Sequence, residues 1–487
     1  MLSRRNLMLG TAAVAGLGAG VWRIGISRAD APLRKLDGVV PPAFATVDHA
    51  DFEIAERMTA LPCFNGKALP LWTFQDGVEF PVVRVRVGQP FTAKFKNNLP
   101  RAGEHVTIHW HGLRISNAQD GVPYLTQKPI LPGEEGRYEF TPQDTGTFFF
   151  HTHCNTVEHF GRGLVGALIV EGDETQKSDV DLVLMMKDWR IGADGAFLPF
   201  TTGDGAAKAG TPGTVRSING ATKPVIAVPA SANVRVRLLN VDPVRISEIG
   251  IEGAEASIIA VDGNACAPIP LGSWRFGPAS RLDILLRSPA DGGVVKLMDY
   301  FSAEPVVLVE LQSSGAAVRS DAFAATPLLP SSVPNADLKN AERLTLAFSA
   351  TATGDAVAAL GETTGISIGT LCLSKRSFWA INKQTWASTD HSTLGPPLAK
   401  LQSGKSYIFE LQNLTPHAHP IHIHGHTFEV LSSNLRKLPP FRADTVLLLP
   451  KERIEVALVA GTPGKWMLHC HILEHQETGM MGYVEVS

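Results

Sequence analysis

One short stretch carries residues that could bind a redox metal: His469, Cys470 and His471, followed by His475 and Met480. Side chains alternate along a strand, so Cys470 would point to one face and the two flanking histidines to the other. A cysteine thiolate, two imidazoles and a weak axial methionine bind copper in blue electron-transfer sites. Cys470, His475 and Met480 offer three of those four ligands, in the loop after a strand, and His469 and His471 offer a pair of imidazoles for further metal ions on the opposite face.

A second stretch supplies the missing ligand, because His419, His422 and His424 divide in the same way. The even spacing of 422 and 424 places both on one face of a strand, and the odd spacing places His419 on the other. His419 thus joins the thiolate site. A single histidine is more often a solvated or core residue, but the agreement between the two stretches favours metal ligands.

Four His-x-His pairs occur in the chain, two toward each end. They are His109/His111, His151/His153, His422/His424 and His469/His471. Imidazole suits copper, whereas zinc would not explain the adjoining Cys–His–Met set. One such pair is a weak signal, since it is common in strands by chance. Four pairs with coherent spacing predict that eight imidazoles hold three coppers at the seam between two domains.

The elements that must position these residues have the pattern of short strands. Residues 83–87 and 91–96 alternate apolar and polar side chains around a Gly-Gln-Pro turn, which predicts a strand, a turn and a strand. The strand pattern of 91–96, here called the strand phrase, occurs again at 234–241 and at 407–414. This repetition predicts three copies of one β domain. The length of 487 residues, at roughly 150 per domain, agrees with an all-β chain of three domains.

The middle copy lacks the ligand pattern of the outer two. A glycine precedes the first histidine by five residues at Gly146 and at Gly464, but the equivalent stretch from Gly293 contains no histidine. No histidine occurs between His159 and His391. The middle domain is therefore expected to be a spacer or wall without metal. The predicted domains are 45–173, 178–325 and 335–487.

The composition suits a loop-rich globular β protein, with 44% hydrophobic residues, 33 Pro and 45 Gly. The formal net charge is −3, and no basic patch or run points to nucleic acid. We therefore expect no nucleic-acid partner.

The N-terminus has the features of a targeting signal. Ser3-Arg4-Arg5-Asn6-Leu7 resembles the twin-arginine export motif, and the apolar stretch 7–21 follows it. That stretch is short for a membrane span, which needs about 20 residues, although an uncleaved anchor is the alternative. We expect a signal peptide over 1–31, export in the folded state by the twin-arginine machinery, and a periplasmic protein without stable membrane insertion.

Four cysteines remain if Cys470 is a ligand: Cys63, Cys154, Cys266 and Cys372. In an oxidising compartment they could form up to two disulfides, but sequence does not give the connectivity. Cys154 follows His153 directly, yet on a strand it would face away from it. We interpret it as a small buried residue or a disulfide partner, with Cys63 as the favoured mate.

These motifs make the chain resemble the three-domain multicopper oxidases, which include laccases and bacterial copper-efflux oxidases. The resemblance extends from about residue 45 to the C-terminus and is specific in the four copper segments. It implies three cupredoxin domains, which are Greek-key β-sandwiches, and four coppers with no ligand position missing. It assigns His419, Cys470 and His475, with axial Met480, to a mononuclear (type 1) copper, His109 and His422 to the type 2 copper, His111, His151 and His471 to one type 3 copper, and His153, His424 and His469 to the other.

The same resemblance implies a mechanism. A reducing substrate gives single electrons to the type 1 copper, and they pass through Cys470 to His469 and His471. The three-copper cluster collects four electrons and reduces O2 to two waters. Asp120 matches the family's acidic residue near the cluster and could relay protons, the alternative being an Asp-Gly turn residue. Where bacterial relatives often carry a glutamate, this chain has Gln476, which cannot titrate.

The sequence also bears on the substrate. Copper-efflux oxidases carry a methionine-rich insertion for Cu(I), but the matching region, about 350–376, contains no methionine. The acidic residue that such enzymes place four positions before the first type 1 histidine is Thr415 here. A laccase-like oxidase of phenols or aromatic amines is the first hypothesis. A periplasmic oxidase of Cu(I) or Mn(II) is the alternative.

Two alternative functions, a copper-free scaffold protein and a copper nitrite reductase, differ from the oxidase in their metal content. A copper-free cupredoxin scaffold would not need this ligand set, and a copper nitrite reductase needs far fewer histidines. Metal analysis separates them, with about four coppers expected for the oxidase, fewer for the reductase and none for the scaffold. We expect the oxidase to be a monomer.

Overall fold

The structure is a computed structural model that describes residues 46–174, 178–350, 378–386 and 394–487. These residues form thirty strands, three short α-helices and two short 3-10 helices. The all-β prediction is therefore confirmed. None of the helices in these ranges has the length and apolar character that crossing a membrane requires.

Several sequence predictions concern parts of the chain outside the described residues. The expected signal peptide 1–31, almost all of the methionine-free region 350–376, Cys372 and His391 fall there. The structure therefore bears on none of these predictions.

The first part of the chain forms two four-stranded sheets that share one apolar core, here called the first sandwich. The sheets have the strand orders β2-β1-β4-β6 and β3-β8-β7-β5. A helix, α1 (Thr156–Arg162), lies between the last two strands, and the 3-10 helices are Pro62–Phe64 and Asn117–Gln119. The strands are β1 (His49–Thr59), β2 (Leu69–Thr73), β3 (Val82–Arg86), β4 (Phe91–Asn98), β5 (Ile108–His111), β6 (Glu135–Phe140), β7 (Gly146–Thr152) and β8 (Val165–Glu171).

The middle sandwich follows, with a six-stranded and a five-stranded sheet. Their strand orders are β10-β9-β12-β17-β14-β15 and β11-β19-β18-β13-β16, and helix α2 is Gly203–Ala207. The strands are β9 (Val180–Trp189), β10 (Val215–Ile218), β11 (Val225–Pro229), β12 (Asn233–Asn240), β13 (Ser247–Glu252), β14 (Ala256–Val261), β15 (Asn264–Pro270), β16 (Trp274–Phe276), β17 (Arg281–Arg287), β18 (Val294–Asp299) and β19 (Val306–Ser314).

The last sandwich again has a six-stranded and a five-stranded sheet. Their strand orders are β21-β20-β23-β28-β25-β26 and β22-β30-β29-β24-β27, and helix α3 is Leu473–Glu477. The strands are β20 (Glu342–Ala350), β21 (Trp379–Ile381), β22 (Ala399–Leu401), β23 (Ser406–Asn413), β24 (His419–Ile423), β25 (Phe428–Ser433), β26 (Phe441–Ala443), β27 (Thr445–Leu448), β28 (Arg453–Val459), β29 (Gly464–Cys470) and β30 (Met481–Val486).

The three copies of the strand phrase occupy equivalent places in the three sandwiches. They are β4, β12 and β23, and each pairs in parallel with the first strand of its sandwich. Each also pairs antiparallel with a later strand, which is β6, β17 or β28. The repeat seen in the sequence is thus a repeat of topology. The predicted domain boundaries themselves stay predictions.

The predicted strand–turn–strand at 83–96 is correct in its elements, but the two strands do not pair. β3 belongs to one sheet of the first sandwich and β4 to the other. The turn between them carries the chain across the sandwich, because both strands bury apolar side chains in the core between the sheets.

The first histidine of each His-x-His pair lies in one of four strands, and the second lies in the same strand or one residue past its end. β5 pairs with β7, placing His109 opposite His151, and β24 pairs with β29, placing His422 opposite His469. Trp110 packs into the core of the first sandwich against Phe140, at 4.8 Å between ring centroids. Because side chains alternate along a strand, burying Trp110 points the histidines on either side of it out of that core.

Candidate metal centre

Eight histidines of the first and last sandwiches converge in a buried cluster, here called the histidine cluster. Their rings are in close contact, with centroids 3.7 Å apart for His111 and His422 and 3.8 Å apart for His109 and His424. Ring nitrogens lie within 4.8 Å of one another in three sets, which are His109/His111/His422, His111/His151/His471 and His153/His424/His469. The structure therefore brings all four predicted pairs together at the seam between the outer sandwiches.

Hydrogen bonds on the far side of these rings fix which nitrogen faces the cluster. The Nδ1–H groups of His109, His151 and His422 donate to the backbone carbonyls of Asp120, Thr152 and Asp444, at 2.8, 2.9 and 2.9 Å. The Nε2 atoms of the same three rings are buried without a hydrogen-bond partner. A ligating histidine characteristically donates its other N–H to an oxygen in this way, so these lone pairs fit a metal ion.

His424 and His469 give further evidence that the histidine cluster fits a metal ion. Their Nδ1–H groups donate to the carboxylate of Asp120 at 3.0 Å and to the carbonyl of Cys470 at 3.0 Å. Each proton is thereby placed on Nδ1, yet the two Nε2 atoms lie 3.1 Å apart. Two lone pairs facing each other at that distance suit a shared cation. The donor set of neutral imidazoles is one that copper accepts.

The ring of His111 is turned the other way. Its Nε2–H donates to the Asp444 carboxylate at 3.1 Å, and its Nδ1 is buried without a partner. Among the described residues His471 has neither ring nitrogen in a hydrogen bond. His111 would therefore bind a metal through Nδ1, whereas the rings anchored at Nδ1 would use Nε2.

Burial favours the neutral form of His111, His151, His424 and His471, which is the form that metal binding requires. Desolvation is the main cause that holds the pKa of His111, His151 and His471 well below its ordinary value, and neighbouring imidazoles add to the effect. The same two causes lower the pKa of His424 well below its ordinary value. A buried imidazole cannot easily be charged beside others that would repel it.

The predicted mononuclear site lies on the other face of β29. The Cys470 Sγ is 3.6 Å from Nδ1 of His419 and 3.6 Å from Nδ1 of His475, and the two nitrogens are 3.0 Å apart. Burial raises the pKa of the Cys470 thiol, so a metal ion is needed to hold it as a thiolate. The structure thus reproduces the predicted division of Cys470 from His469 and His471.

The outer nitrogens of this centre are also anchored. The Nε2–H of His419 donates to the Thr415 hydroxyl at 2.8 Å, and the Nε2–H of His475 donates to the Lys208 carbonyl at 2.8 Å. His475 lies in α3. Met480 is fully buried beside the cysteine, since its carbonyl accepts the Cys470 N–H at 3.0 Å. Its role as axial ligand stays a prediction.

Asp120 lies against two members of the histidine cluster. Its carboxylate accepts from His424, and its carbonyl accepts from His109. The residue ends a 3-10 turn, as the Asp-Gly interpretation requires, but its carboxylate is 2% exposed and directed at the cluster. The turn interpretation is therefore correct as geometry, and the proton-relay role stays a prediction.

Sequence reasoning missed several residues that hold the ligands. Asp444 contacts His111 and His422, and Trp379 packs against His475 with 4.6 Å between ring centroids. The carbonyl of Lys208 and the carboxylate of Glu474 close the mononuclear centre toward the middle sandwich. Asp444 stands between two short apolar strands, β26 and β27, and an aspartate between apolar stretches was the signal that could have pointed to it. Glu474 directly precedes the predicted ligand His475, which was the signal for that residue.

One prediction about the cysteines is wrong. Cys63 and Cys154 are free thiols, and so is Cys266. Cys63 packs in the core that includes Trp189, whereas the Sγ of Cys154 contacts the Thr107 hydroxyl at 3.8 Å. The alternative interpretation of Cys154 as a small buried residue is the correct one.

Two histidines outside the predicted ligand set, His426 and His159, have structural partners. His426 donates from Nδ1 to the His424 carbonyl at 2.9 Å and accepts the Gly461 N–H at 3.1 Å. His159 is buried between Glu104 at 3.0 Å and Thr152 at 2.8 Å. Neither imidazole has a nitrogen in the clusters that could hold a metal.

Comparison with known proteins agrees with this geometry. The sequence patterns that define the Multicopper oxidase family match residues 58–175 and 374–487. A multi-copper oxidase structure from Pseudomonas parafulva is 36% identical, covers 90% of this chain and 100% of its own, and superposes with a TM-score of 0.77. One from Pseudomonas thermotolerans is 33% identical over 91% and 100% of the two chains, with a TM-score of 0.79.

A curated relative extends the similarity beyond these structures. Multicopper oxidase MmcO of Mycobacterium tuberculosis is 26% identical over 91% of this chain and 89% of its own. The similarity to the solved structures spans all three sandwiches and confirms the predicted cupredoxin-like architecture.

Proposed function

This chain belongs to the multicopper oxidases, copper oxidoreductases that use O2, and we propose that it is the laccase-like kind, oxidising phenols or aromatic amines. The observation that carries the proposal is the neutral lining of the mononuclear centre. The outer nitrogens of its two histidines bond to the Thr415 hydroxyl and to the Lys208 carbonyl. Both groups are uncharged and already bonded to a histidine, so neither offers an anionic ligand to a substrate cation.

A metal substrate would need carboxylates or thioethers held near the mononuclear centre. Within the described residues, every group of His, Cys, Asp or Glu placed to hold a metal belongs to the two centres themselves. The nearby Glu474 carboxylate already accepts from the Thr211 hydroxyl at 2.7 Å and from the Thr202 N–H at 3.2 Å. Among the described residues, the Glu474 carboxylate is therefore engaged by the protein itself rather than offered to a substrate cation.

Named relatives support both the proposal and its alternative. Laccase-1 of Botryotinia fuckeliana is 24% identical over 90% of this chain and 82% of its own. A Campylobacter jejuni enzyme described as a metallo-oxidase is 27% identical over 90% and 91% of the two chains, with a TM-score of 0.74. Oxidation of Cu(I) or Mn(II) is therefore the second candidate function.

We propose the ligand roles predicted from the sequence. His419, Cys470 and His475, with Met480, would hold the type 1 copper, and His109 and His422 the type 2 copper. The other six histidines would hold the type 3 pair. The unpartnered, inward-facing nitrogens of His109, His111, His151 and His422 support these roles.

Copper at these sites supplies one-electron redox chemistry and the reduction of O2 to water. The chain does the rest. Cys470 stands between His469 and His471 on β29, so one peptide unit on each side links the two centres covalently. Burial of the cluster excludes bulk water. Asp120 holds a carboxylate 3.0 Å from His424, and we assign to it the delivery of protons toward the cluster.

Localisation and assembly are part of the same proposal. The twin-arginine motif at Arg4 and Arg5 supports export of the folded protein to the periplasm, and we propose separately that the protein is a monomer. Changing both arginines to lysine should retain the protein in the cytoplasm, as measured by cell fractionation, and size-exclusion chromatography with light scattering should give one chain per particle.

Oxygen uptake by the copper-loaded protein, with a phenol or with Cu(I) as donor, tests the proposed substrate. We expect steady uptake with the phenol and little with Cu(I). The Cys470→Ser variant should lose uptake, whereas Cys154→Ser, which also removes a buried free thiol, should retain it. Faster uptake with Cu(I) than with the phenol would refute the laccase-like proposal and favour the metal oxidase.

A further inference from the structure

A buried guanidinium of the middle sandwich, that of Arg281, lies at the edge of the histidine cluster. Arg281, the first residue of β17, is 0% exposed. Its Nη1 and Nη2 donate to the two carboxylate oxygens of Asp444, at 2.9 and 2.5 Å. Its Nε donates to the carbonyl of Thr147 at 3.2 Å. One side chain of the middle sandwich therefore bonds to the first sandwich through Thr147 and to the last through Asp444.

Asp444 passes this contact on to two of the proposed copper ligands. Its Oδ1 accepts from Nε2 of His111 at 3.1 Å, and its backbone carbonyl accepts from Nδ1 of His422 at 2.9 Å. The carboxylate keeps the His111 proton on Nε2 and leaves Nδ1 facing the cluster. A shift of Asp444 would therefore disturb one ligand of the proposed type 2 copper and one of the type 3 pair.

A second residue of the middle sandwich fixes the backbone around Asp444. The carboxylate of Asp262, also 0% exposed, accepts from the Thr445 N–H at 3.1 Å and from the Arg281 N–H at 2.8 Å. The Thr445 hydroxyl in turn donates to the Asp444 carboxylate at 2.8 Å. Arg281 and Asp262 thus hold both the side chain and the main chain at this point.

The first sandwich leaves room for the Arg281–Asp444 pair. Gly112 directly follows His111, and a Cβ built on it would lie 2.4 Å from Nη2 of Arg281 and 2.5 Å from Oδ2 of Asp444. Its φ of +88° also favours glycine. The space and the conformation at Gly112 therefore fit the pair, which indicates that the junction is a built feature of the fold.

We propose that Arg281 is a positioning residue for the copper cluster, acting through Asp444 on His111 and His422. The inference rests on the proposed ligand roles of those two histidines. It gives the middle sandwich, which supplies no ligand, a part in shaping the site. Outer partners of metal ligands set ring orientation and proton position, and a planar fork holds a carboxylate in a way that a single ammonium does not.

The test compares Arg281→Met and Arg281→Lys with Arg235→Met. Arg235 is an equally buried arginine of the neighbouring strand β12, and its side-chain hydrogen bonds in the described structure reach only Glu174 and Asp283. Copper bound per chain is measured at a series of buffered free-copper concentrations. The electron paramagnetic resonance spectrum of the type 2 copper is recorded alongside, and thermal unfolding of the metal-free proteins reports on folding.

We expect Arg281→Met to lower copper affinity at the cluster about 10- to 100-fold and to change the type 2 hyperfine splitting. Arg281→Lys should show the same changes to a smaller extent, and it decides the test if the methionine variant does not fold. Arg235→Met should keep the wild-type affinity and spectrum. The thiolate absorption of the mononuclear centre should be the same in all the folded variants.

Two results of the variant comparison would overturn the inference and leave the proposed ligand roles in place. One is wild-type affinity and an unchanged spectrum in both Arg281 variants. The other is an equal loss in Arg235→Met, which would make the effect a general cost of removing a buried arginine. A wild-type protein that binds copper only at the mononuclear centre would overturn the proposed ligand roles and this inference with them.

Discussion

Replacing Thr415 by valine should weaken copper binding at the mononuclear centre. The hydroxyl accepts the Nε2–H of His419 at 2.8 Å in a fully buried environment, and valine offers no acceptor. In the metal-free protein the His419 proton can move to Nδ1, which lies 3.0 Å from Nδ1 of His475. Copper bound at Nδ1 would force the proton back to Nε2. The lost hydrogen bond is therefore felt in the metal-bound state.

The expected magnitude follows from the cost of a buried N–H without a partner. That cost is about 1–3 kcal/mol, which corresponds to a loss in affinity of about 5- to 150-fold. The assay is a titration with copper buffered by a competing chelator, followed by the absorption of the copper–thiolate bond. Thr415→Ser keeps the hydroxyl and should bind within a few-fold of the wild type.

Thr73→Val is the matched control for Thr415→Val. Thr73 is also buried, and its hydroxyl bonds to Arg57 at 2.8 Å and to the Gln75 carbonyl at 3.1 Å, in the first sandwich. It should leave the affinity of the mononuclear centre unchanged. Wild-type affinity in Thr415→Val, or an equal loss in Thr415→Ser, would refute the reasoning, because neither result could come from the missing acceptor.

Three further predictions concern the cluster, the titration of the fold and the glycine beside His111. Asp120→Asn should lower oxygen uptake at least about 100-fold with copper content unchanged, and wild-type uptake would contradict the proton-delivery role. Burial raises the pKa of Glu477 from 4.5 to about 7, so the folded state favours the protonated carboxyl. This carboxyl therefore contributes a loss of stability as the pH rises from 4.5 to 7, opposite in sign to the gain from the buried imidazoles whose pKa is lowered. In denaturant unfolding of the metal-free proteins, the stability of Glu477→Gln relative to the wild type should rise by roughly 2–3 kcal/mol over that window, and parallel pH profiles would contradict this. Gly112→Ala should destabilise the metal-free protein by roughly 1–3 kcal/mol more than Gly88→Ala. Gly88 is the control because it also has a positive φ but has open space around it. Equal losses of stability in denaturant unfolding would show that the Arg281–Asp444 pair moves aside.

Much of the candidate site could be predicted because strand parity is a local property. Cys470 and its two neighbours divide between faces for the same reason in a sequence as in a fold. The odd spacing of His419 from His422 and the even spacing of His422 from His424 predicted the same division between two faces on a second strand. The pairing of His422 with His469 then agrees with the prediction, since both strands lie in one sheet.

Other features could not be predicted because they depend on contacts between distant parts of the chain. Asp444 contacts His111 across a separation of 333 residues, and the sequence around Asp444 has no motif that points to His111. The error over Cys63 and Cys154 has the same origin, since cysteine counting gives no distances. β3 and β4 match a hairpin pattern locally, but core packing places them in opposite sheets.

The short helix α3 joins the three sandwiches at one place. Glu474 accepts from Thr202 and Thr211 of the middle sandwich. Glu477 accepts from the Thr156 hydroxyl at 3.0 Å and the Val157 N–H at 2.9 Å, in the first sandwich. Between these two carboxylates stands His475, a proposed copper ligand.

This arrangement has a consequence for synthesis on the ribosome. The donors on the first and middle sandwiches emerge well before α3 is made, and domains generally fold in the order of their synthesis. Until α3 docks, those N–H and O–H groups lack these carboxylate partners. The mononuclear centre is thus completed by the same event that fastens α3 to the first and middle sandwiches, so the blue colour of a copper-loaded chain would report that this contact has formed.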